Sequence, residues 1–309
     1  MKKAFVSYRH TQGAWVWSRL KPCLEAGGVE VLIDGERFQA GKGVVGQMDA
    51  IQDQADVHVL VLTKDYLDSP YCRHEMDRAL ALDPDFTRGL VVPVRLDNHH
   101  PWPRKLTHPA PLYVELSNDA DAHQWKKLLE ACGASLGTGA PEWLQVRDDV
   151  VRWLQRGESV NLVTERGVKW QPLLEHVRGC AIPAPLLPDL KIVDLEKGET
   201  ASRRGLLEAI LRQFGHHATL PDKPEDLVKF SRALDALPFA RLALLRFDCV
   251  ADRQNEYGLD LFRALRHLVM TDRKLALLVQ SHRPFDSLLP AGHPVSEINL
   301  KLAELKARP

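Results

Sequence analysis

Over the first 135 residues, short apolar runs rich in β-branched side chains alternate with stretches of helical spacing. "KAFVSY" (3–8), "VEVLI" (29–33), "VHVLVL" (57–62), "GLVVPV" (89–94) and "PLYVEL" (111–116) read as strands, with helical patterns over 14–26, 43–54, 71–83 and 120–132 between them. Strand and helix in strict alternation predict a parallel sheet covered by helices on both faces. Such sheets bind ligands beyond the carboxyl ends of their strands, here after Tyr8, Ile33, Leu62 and Val94. The pattern breaks at "CGASLGTGAP" (132–141), where glycines and small residues predict a linker, placed at 136–145 between domains over 1–135 and 146–309. Beyond it the alternation resumes. "SVNLVT" (159–164), "LKIVDL" (190–195), "ARLALLRFD" (240–248), "KLALLVQS" (274–281) and "SEINL" (296–300) read as strands, and 171–178, 202–214, 224–236 and 258–270 as helices, which makes a second α/β domain.

Composition narrows the partners. The 309 residues carry 45% hydrophobic and 27% charged side chains, with 41 basic residues against 41 acidic ones. A balanced charge offers no electrostatic reason to expect nucleic acid or an anionic membrane as the main partner. Five widely spaced cysteines without a CxxC pair point to a reducing, cytoplasmic compartment. The apolar run near the amino terminus is too short for a signal peptide, and none approaches the ~20 residues that span a bilayer. Thirteen histidines show no HExxH spacing, so no metal site is expected.

Two stretches look like phosphate loops. "GKGVVG" places glycines at 41, 43 and 46 in the dinucleotide spacing, but "DGERFQA" separates it from the second strand, whereas that fingerprint follows the first strand directly. "VNLVTERGVKWQPLLEHV" runs from strand through loop to helix as a P-loop does. Yet Thr164, Lys169, Trp170 and Gln171 occupy the positions of the two glycines, the lysine and the hydroxyl residue, so every diagnostic side chain is lost. With "LALLRFD" ending at Asp248 as the strand that would carry the metal-binding acid, 146–309 resembles a degenerate P-loop domain of the STAND type. An unrelated α/β fold with the same alternation is the other reading.

One carboxylate is out of place. In "SPYCRHEMDRALAL" Ser69 caps a helix and Pro70 fits its first turn. At about 100° per residue, Cys72, Met76, Ala79, Leu80 and Leu82 share an apolar arc, with Arg73, His74, Asp77 and Arg78 opposite. Glu75 falls inside the arc, where a charge is costly. An edge position, a buried ion pair or the pull of a helix N-terminus on a negative charge would account for it, and so would a catalytic task.

Over roughly residues 1–135 the chain resembles a Toll/interleukin-1 receptor (TIR) domain. "AFVSYRH" is similar to the family's first box, "VEVLIDGERFQAGKG" to its second strand and BB loop, and "AIQDQADVHVLVLTKDYLDSPYCRHEM" to the strand and helix of its third conserved region. The resemblance implies a flavodoxin-like parallel five-stranded sheet and, in enzymatic members, cleavage of NAD+ at the nicotinamide–ribose bond, with NAD+ as substrate and no cofactor. The family's catalytic glutamate sits in a "WCxxE" motif that reads "YCRHE" here, which assigns Glu75. By the same resemblance Tyr8, Arg9, Asp34, Phe38, Gly41, Tyr71 and Cys72 would border the substrate. The sequence departs from the family at Tyr71, usually tryptophan, at Ala55, commonly serine, and at Gly43, bulky in some active members. The resemblance implies an immune effector whose TIR domains assemble through the BB loop near Phe38, while the second domain meets an activating ligand or protein. A non-enzymatic adaptor is the alternative.

Overall fold

A computed structural model describes residues 1–33, 43–97, 102–179, 186–217, 219–223, 225–236 and 238–307. The first sheet contains β1 (Lys3–Ser7), β2 (Glu30–Leu32), β3 (Val57–Leu62), β4 (Val91–Arg95) and β5 (Val114–Glu115), all parallel in the order β2-β1-β3-β4-β5. This is the flavodoxin-like order, with its switch point between β1 and β3. All six residues of β3 are buried, as expected of a strand covered on both faces.

The second sheet contains β6 (Ser159–Thr164), β7 (Leu190–Asp194), β8 (Ala240–Leu245), β9 (Leu275–Ser281) and β10 (Leu300–Leu305), parallel in the order β10-β6-β9-β8-β7. Both halves of the molecule are therefore parallel five-stranded α/β layers.

Three expectations are corrected. Residues 140–145 of the expected linker belong to a helix over Ala140–Gln155, because Gly139 and Pro141 form a helix start and buried Trp143, Leu144, Val150, Val151 and Leu154 supply its apolar stripe. The last strand lies at Leu300–Leu305 and not at 296–300, since successive turns at Ser296 and Ile298 bury Val295 and Ile298 without strand pairing. Leu82 is 46% exposed, because the helix stops there and the Asp83 carboxylate accepts from the backbone N–H of Arg88 and Leu90 in the following loop. The helical run over 14–26 is also less regular than expected: its middle, Val16–Leu20, is a wider π-turn.

The two sheets share a core. One cluster of buried apolar side chains includes Val6, Ile33 and Val59 of the first domain and Leu162, Leu278 and Leu305 of the second. The seam that joins them is polar-stitched: buried Arg147 donates through Nη1 to the Ser18 carbonyl at 2.5 Å, and Lys169 Nζ to the Gly27 carbonyl at 3.2 Å. Gly27 is required there, because a Cβ at that position would stand 2.5 Å from the Ala134 Cβ. Among the described residues, no helix is long and apolar enough to cross a membrane.

Candidate functional site

The helix Pro70–Leu82 is launched at the switch-point end of the first sheet. Thr63, the residue after β3, caps the short helix Lys64–Asp68 by accepting from the Tyr66 N–H at 3.2 Å. Ser69 then caps the next helix by accepting from the Cys72 N–H at 3.4 Å, with Pro70 in its first turn. These paired caps direct the first turns of Pro70–Leu82 across the carboxyl end of β1. Cys72, Glu75, Met76, Ala79 and Leu80 are its buried residues.

Glu75 is 3% exposed and meets Ser7, the last residue of β1, whose hydroxyl donates to Glu75 Oε2 at 2.5 Å. Ser7 Oγ also lies 2.8 Å from Tyr66 Oη. Burial holds the Tyr66 phenol well above its ordinary pKa, so it stays an O–H donor at every physiological pH. A neutral phenol that donates to Ser7 leaves the Ser7 proton for Glu75, and the arrangement is a series of two hydroxyls that ends on a carboxylate. The backbone of the same turn is pinned by Gln52 Nε2, which donates to the Glu75 carbonyl at 2.9 Å.

The residues implied by the resemblance fall in different places. Tyr8 is half-buried, and its hydroxyl accepts from Trp17 Nε1 at 3.1 Å. The Cys72 thiol donates to the Tyr8 carbonyl at 3.7 Å, so Tyr8, Cys72 and Glu75 form one neighbourhood. Arg9 is half-buried at the start of the turn His10–Gln12, where its carbonyl accepts from the Gln12 N–H. Tyr71 is 55% exposed and does not wall an enclosed pocket, because it lies in the first turn, ahead of the residues that dock on the sheet. Asp34, Phe38 and Gly41 lie outside the described residues.

Sequence reasoning missed Ser7, Tyr66 and Gln52. The available signal for Ser7 was a hydroxyl closing an otherwise apolar strand, "KAFVS".

The corresponding end of the second sheet is built differently. Thr164 is fully buried at the end of β6, and its hydroxyl accepts from Gln280 Nε2 at 2.9 Å. Gln280 Oε1 in turn accepts from the Arg246 N–H at 2.8 Å, and Asp248 Oδ2 from the His282 N–H at 2.8 Å. Lys169 points away to Gly27, and Trp170 is buried in the shared core. Among the described residues, no group of three His, Cys, Asp or Glu side chains is placed to hold a metal ion.

Comparison with known proteins bears on the stretch that holds the first sheet. Residues 4–129 match the model of the TIR domain. The chain is 36% identical over 105 residues to the NAD(+) hydrolase sarm1 of Drosophila melanogaster, a match covering 32% of this chain and 7% of that protein. It is 29% identical over 73 residues to Toll-like receptor 6 of Homo sapiens, covering 24% of this chain and 9% of that one. The matched segments are thus 7% and 9% of these curated relatives' lengths. Among solved structures, the TIR domain of the Toll-related receptor TRR-2 from Hydra magnipapillata aligns with 16% identity and a TM-score of 0.35, over 41% of this chain and 94% of that one. The Walker-type ATPase PABY2304 of Pyrococcus abyssi aligns with 12% identity and a TM-score of 0.35, over 51% and 52%. Residues 4–129 of this chain are a TIR domain.

Proposed function

We propose that the protein hydrolyses NAD+ at the nicotinamide–ribose bond, with Glu75 as the catalytic carboxylate. The observation that carries this reading is a glutamate buried at the switch point of the TIR sheet with the Ser7 hydroxyl donating to it, in a segment similar to an NAD(+) hydrolase. In NAD+ the leaving group is a cationic pyridinium that departs neutral, so no general acid is needed. The task left is to stabilise the oxocarbenium-like charge that develops on the ribose, which a fixed carboxylate does. At 4 Å and an effective dielectric of ~20, opposite charges attract by about 4 kcal/mol, equivalent to roughly a thousandfold in rate.

Glu75 is enclosed, so substrate reaches it only when its surroundings move. Assembly of TIR domains, with contacts around Phe38, is the switch this reading assigns, and the second domain is where an activating ligand or protein acts. On this reading the protein is a cytoplasmic immune effector. Whether the product is linear or cyclic ADP-ribose is read from the product peak.

The similarity to Toll-like receptor 6 favours a second reading, a non-enzymatic adaptor that recruits other TIR proteins with Glu75 as a structural group. NAD+ consumption by the purified chain over a concentration series separates them. Loss that rises faster than linearly with protein and disappears in Glu75→Gln is the expected result. An equal background in both proteins at every concentration, with TIR partners still bound, would establish the adaptor.

A further inference from the structure

We propose that Ser7 is a positioning residue for Glu75, and that Tyr66 supplies the hydrogen that orients Ser7. The activity arm of this inference rests on the NAD+ reading above, while the geometry does not.

Ser7 is 1% exposed and Tyr66 fully buried, so neither hydroxyl exchanges its partner for water. Each has one proton to give. Ser7 gives its own to Glu75 Oε2 at 2.5 Å and sits 2.8 Å from Tyr66 Oη, which fixes the direction of the chain as Tyr66 to Ser7 to Glu75. Donors in series polarise one another, and the low dielectric around them strengthens both bonds. A lone buried hydroxyl would satisfy a glutamate in either protonation state. A directed pair favours the ionised one, because a hydroxyl committed to donating bonds a charged carboxylate oxygen more strongly than a neutral one.

The chain also fixes position. Ser7 belongs to β1, a central strand, and Tyr66 to a helix capped by Thr63, so the donors come from two elements other than the one carrying Glu75. A carboxylate held from outside its own helix keeps its plane when that helix shifts, which is the condition for aligning it with a developing charge.

Titratable and charged groups on the elements packed around this chain include Cys72 and Asp77, which act on Tyr66 together with Glu75, and His74 and Arg78 on the same helix, facing Asp49 on the helix Val44–Gln52 and Asp53 just after it. Asp49 accepts from His74 at 2.9 Å, and Arg78 pairs with Asp49 at 3.1 Å and with Asp53 at 2.6 Å. From β1 the side that reaches Glu75 is the uncharged Ser7.

The test uses the full chain with carboxyl-labelled glutamate, the Glu75 resonance being identified by its loss in Glu75→Gln. Ser7→Ala is expected to raise the Glu75 titration midpoint by about one unit, Ser7→Thr to restore it, and Tyr66→Phe to move it less in the same direction. In parallel, Ser7→Ala should lower kcat for NAD+ loss by about 10- to 100-fold with KM within about threefold, and carry the acid limb of the kcat–pH profile upward with the midpoint. A midpoint shared by wild type, Ser7→Ala and Tyr66→Phe overturns the proposal, whatever the activity. A shifted midpoint in a wild-type background that consumes no NAD+ removes the NAD+ reading and leaves the hydroxyl chain in place. Should Ser7→Ala fail to fold, Tyr66→Phe alone decides: an upward midpoint supports the chain, and an unmoved one sinks it.

Discussion

The two sheets have the same architecture and opposite endings. At the carboxyl end of β1, the Ser7 hydroxyl donates to a carboxylate and is itself bonded by the Tyr66 hydroxyl. At the carboxyl end of β6, Thr164, Gln280, Asp248 and His282 satisfy one another and the main chain, and the one lysine of the loop is committed to the first domain. A strand end in a parallel sheet is an opportunity for ligand chemistry, and what decides whether it is taken is where the polar groups spend their hydrogen bonds. A donor directed at a carboxylate holds a charge in place, and groups that bond one another and the backbone make a joint.

The strongest way to break that comparison is Glu75→Gln, which removes the charge and keeps the shape. NAD+ turnover should fall by at least about a thousandfold, given an attraction of roughly 4 kcal/mol at stake, while the Tm stays within a few degrees. A variant that still turns over would make the first site as structural as the second.

The next effect lies wholly inside the second domain. Arg203, buried, holds Asp226 through a bidentate pair at 2.6 and 2.9 Å and reaches the half-exposed Asp260 at 2.6 Å. Removing one partner of a buried pair strands the other, so Asp226→Ala should cost about 3–5 kcal/mol in urea unfolding. Asp260→Ala should cost about 1 kcal/mol or less, because water screens that partner. Equal costs would show that the pair is not sealed from solvent.

A smaller effect is pH-dependent. His176, on the helix Gln171–Gly179, is pushed down to about 4, first by burial and then by the Arg147 charge. Its folded pKa lies below the ordinary 6.5, so the unfolded chain binds the extra proton between those values and stability falls as pH drops from about 6.5 towards 4. The Tm should decline across that window, and His176→Gln should flatten the decline. An identical slope in the variant would place the acid sensitivity elsewhere.

The smallest expected effect is none. Magnesium–ATP should leave the Tm of the protein unchanged, because the side chains that would face a nucleotide at β6 are already spent. A saturable rise with ATP concentration would reopen the second site.

Much of the fold was legible because burial on both faces imposes an unbroken apolar run: β3 and β6 lie where "VHVLVL" and "SVNLVT" put them. The Glu75 helix was legible from its caps and its stripe, to within one residue at each end. The helix Ala140–Gln155 was not, since Gly137, Gly139 and Pro141 read as a loop until the partners of Trp143 are known. The same asymmetry holds at the site. Glu75 announced itself by violating the polarity of its own helix, which a local pattern reveals. Ser7 shows locally only as a hydroxyl closing an apolar strand and Tyr66 not at all, and 68 and 59 residues of chain separation hide the contacts that give them their role.

The seam between the halves has a consequence for how such chains are put together. The helix Lys21–Ala26 packs against Gln171–Gly179, the Trp143 indole donates to the Lys169 carbonyl, and the turn at Gly137 lies so close to Gly167 that a side chain there would strike its carbonyl. The TIR half is therefore not a portable cassette on a tether. A graft that swapped the second domain for another would have to bring a matching apolar face and a lysine for Gly27, and a chain severed near residue 135 would carry a bare hydrophobic scar where its companion had been.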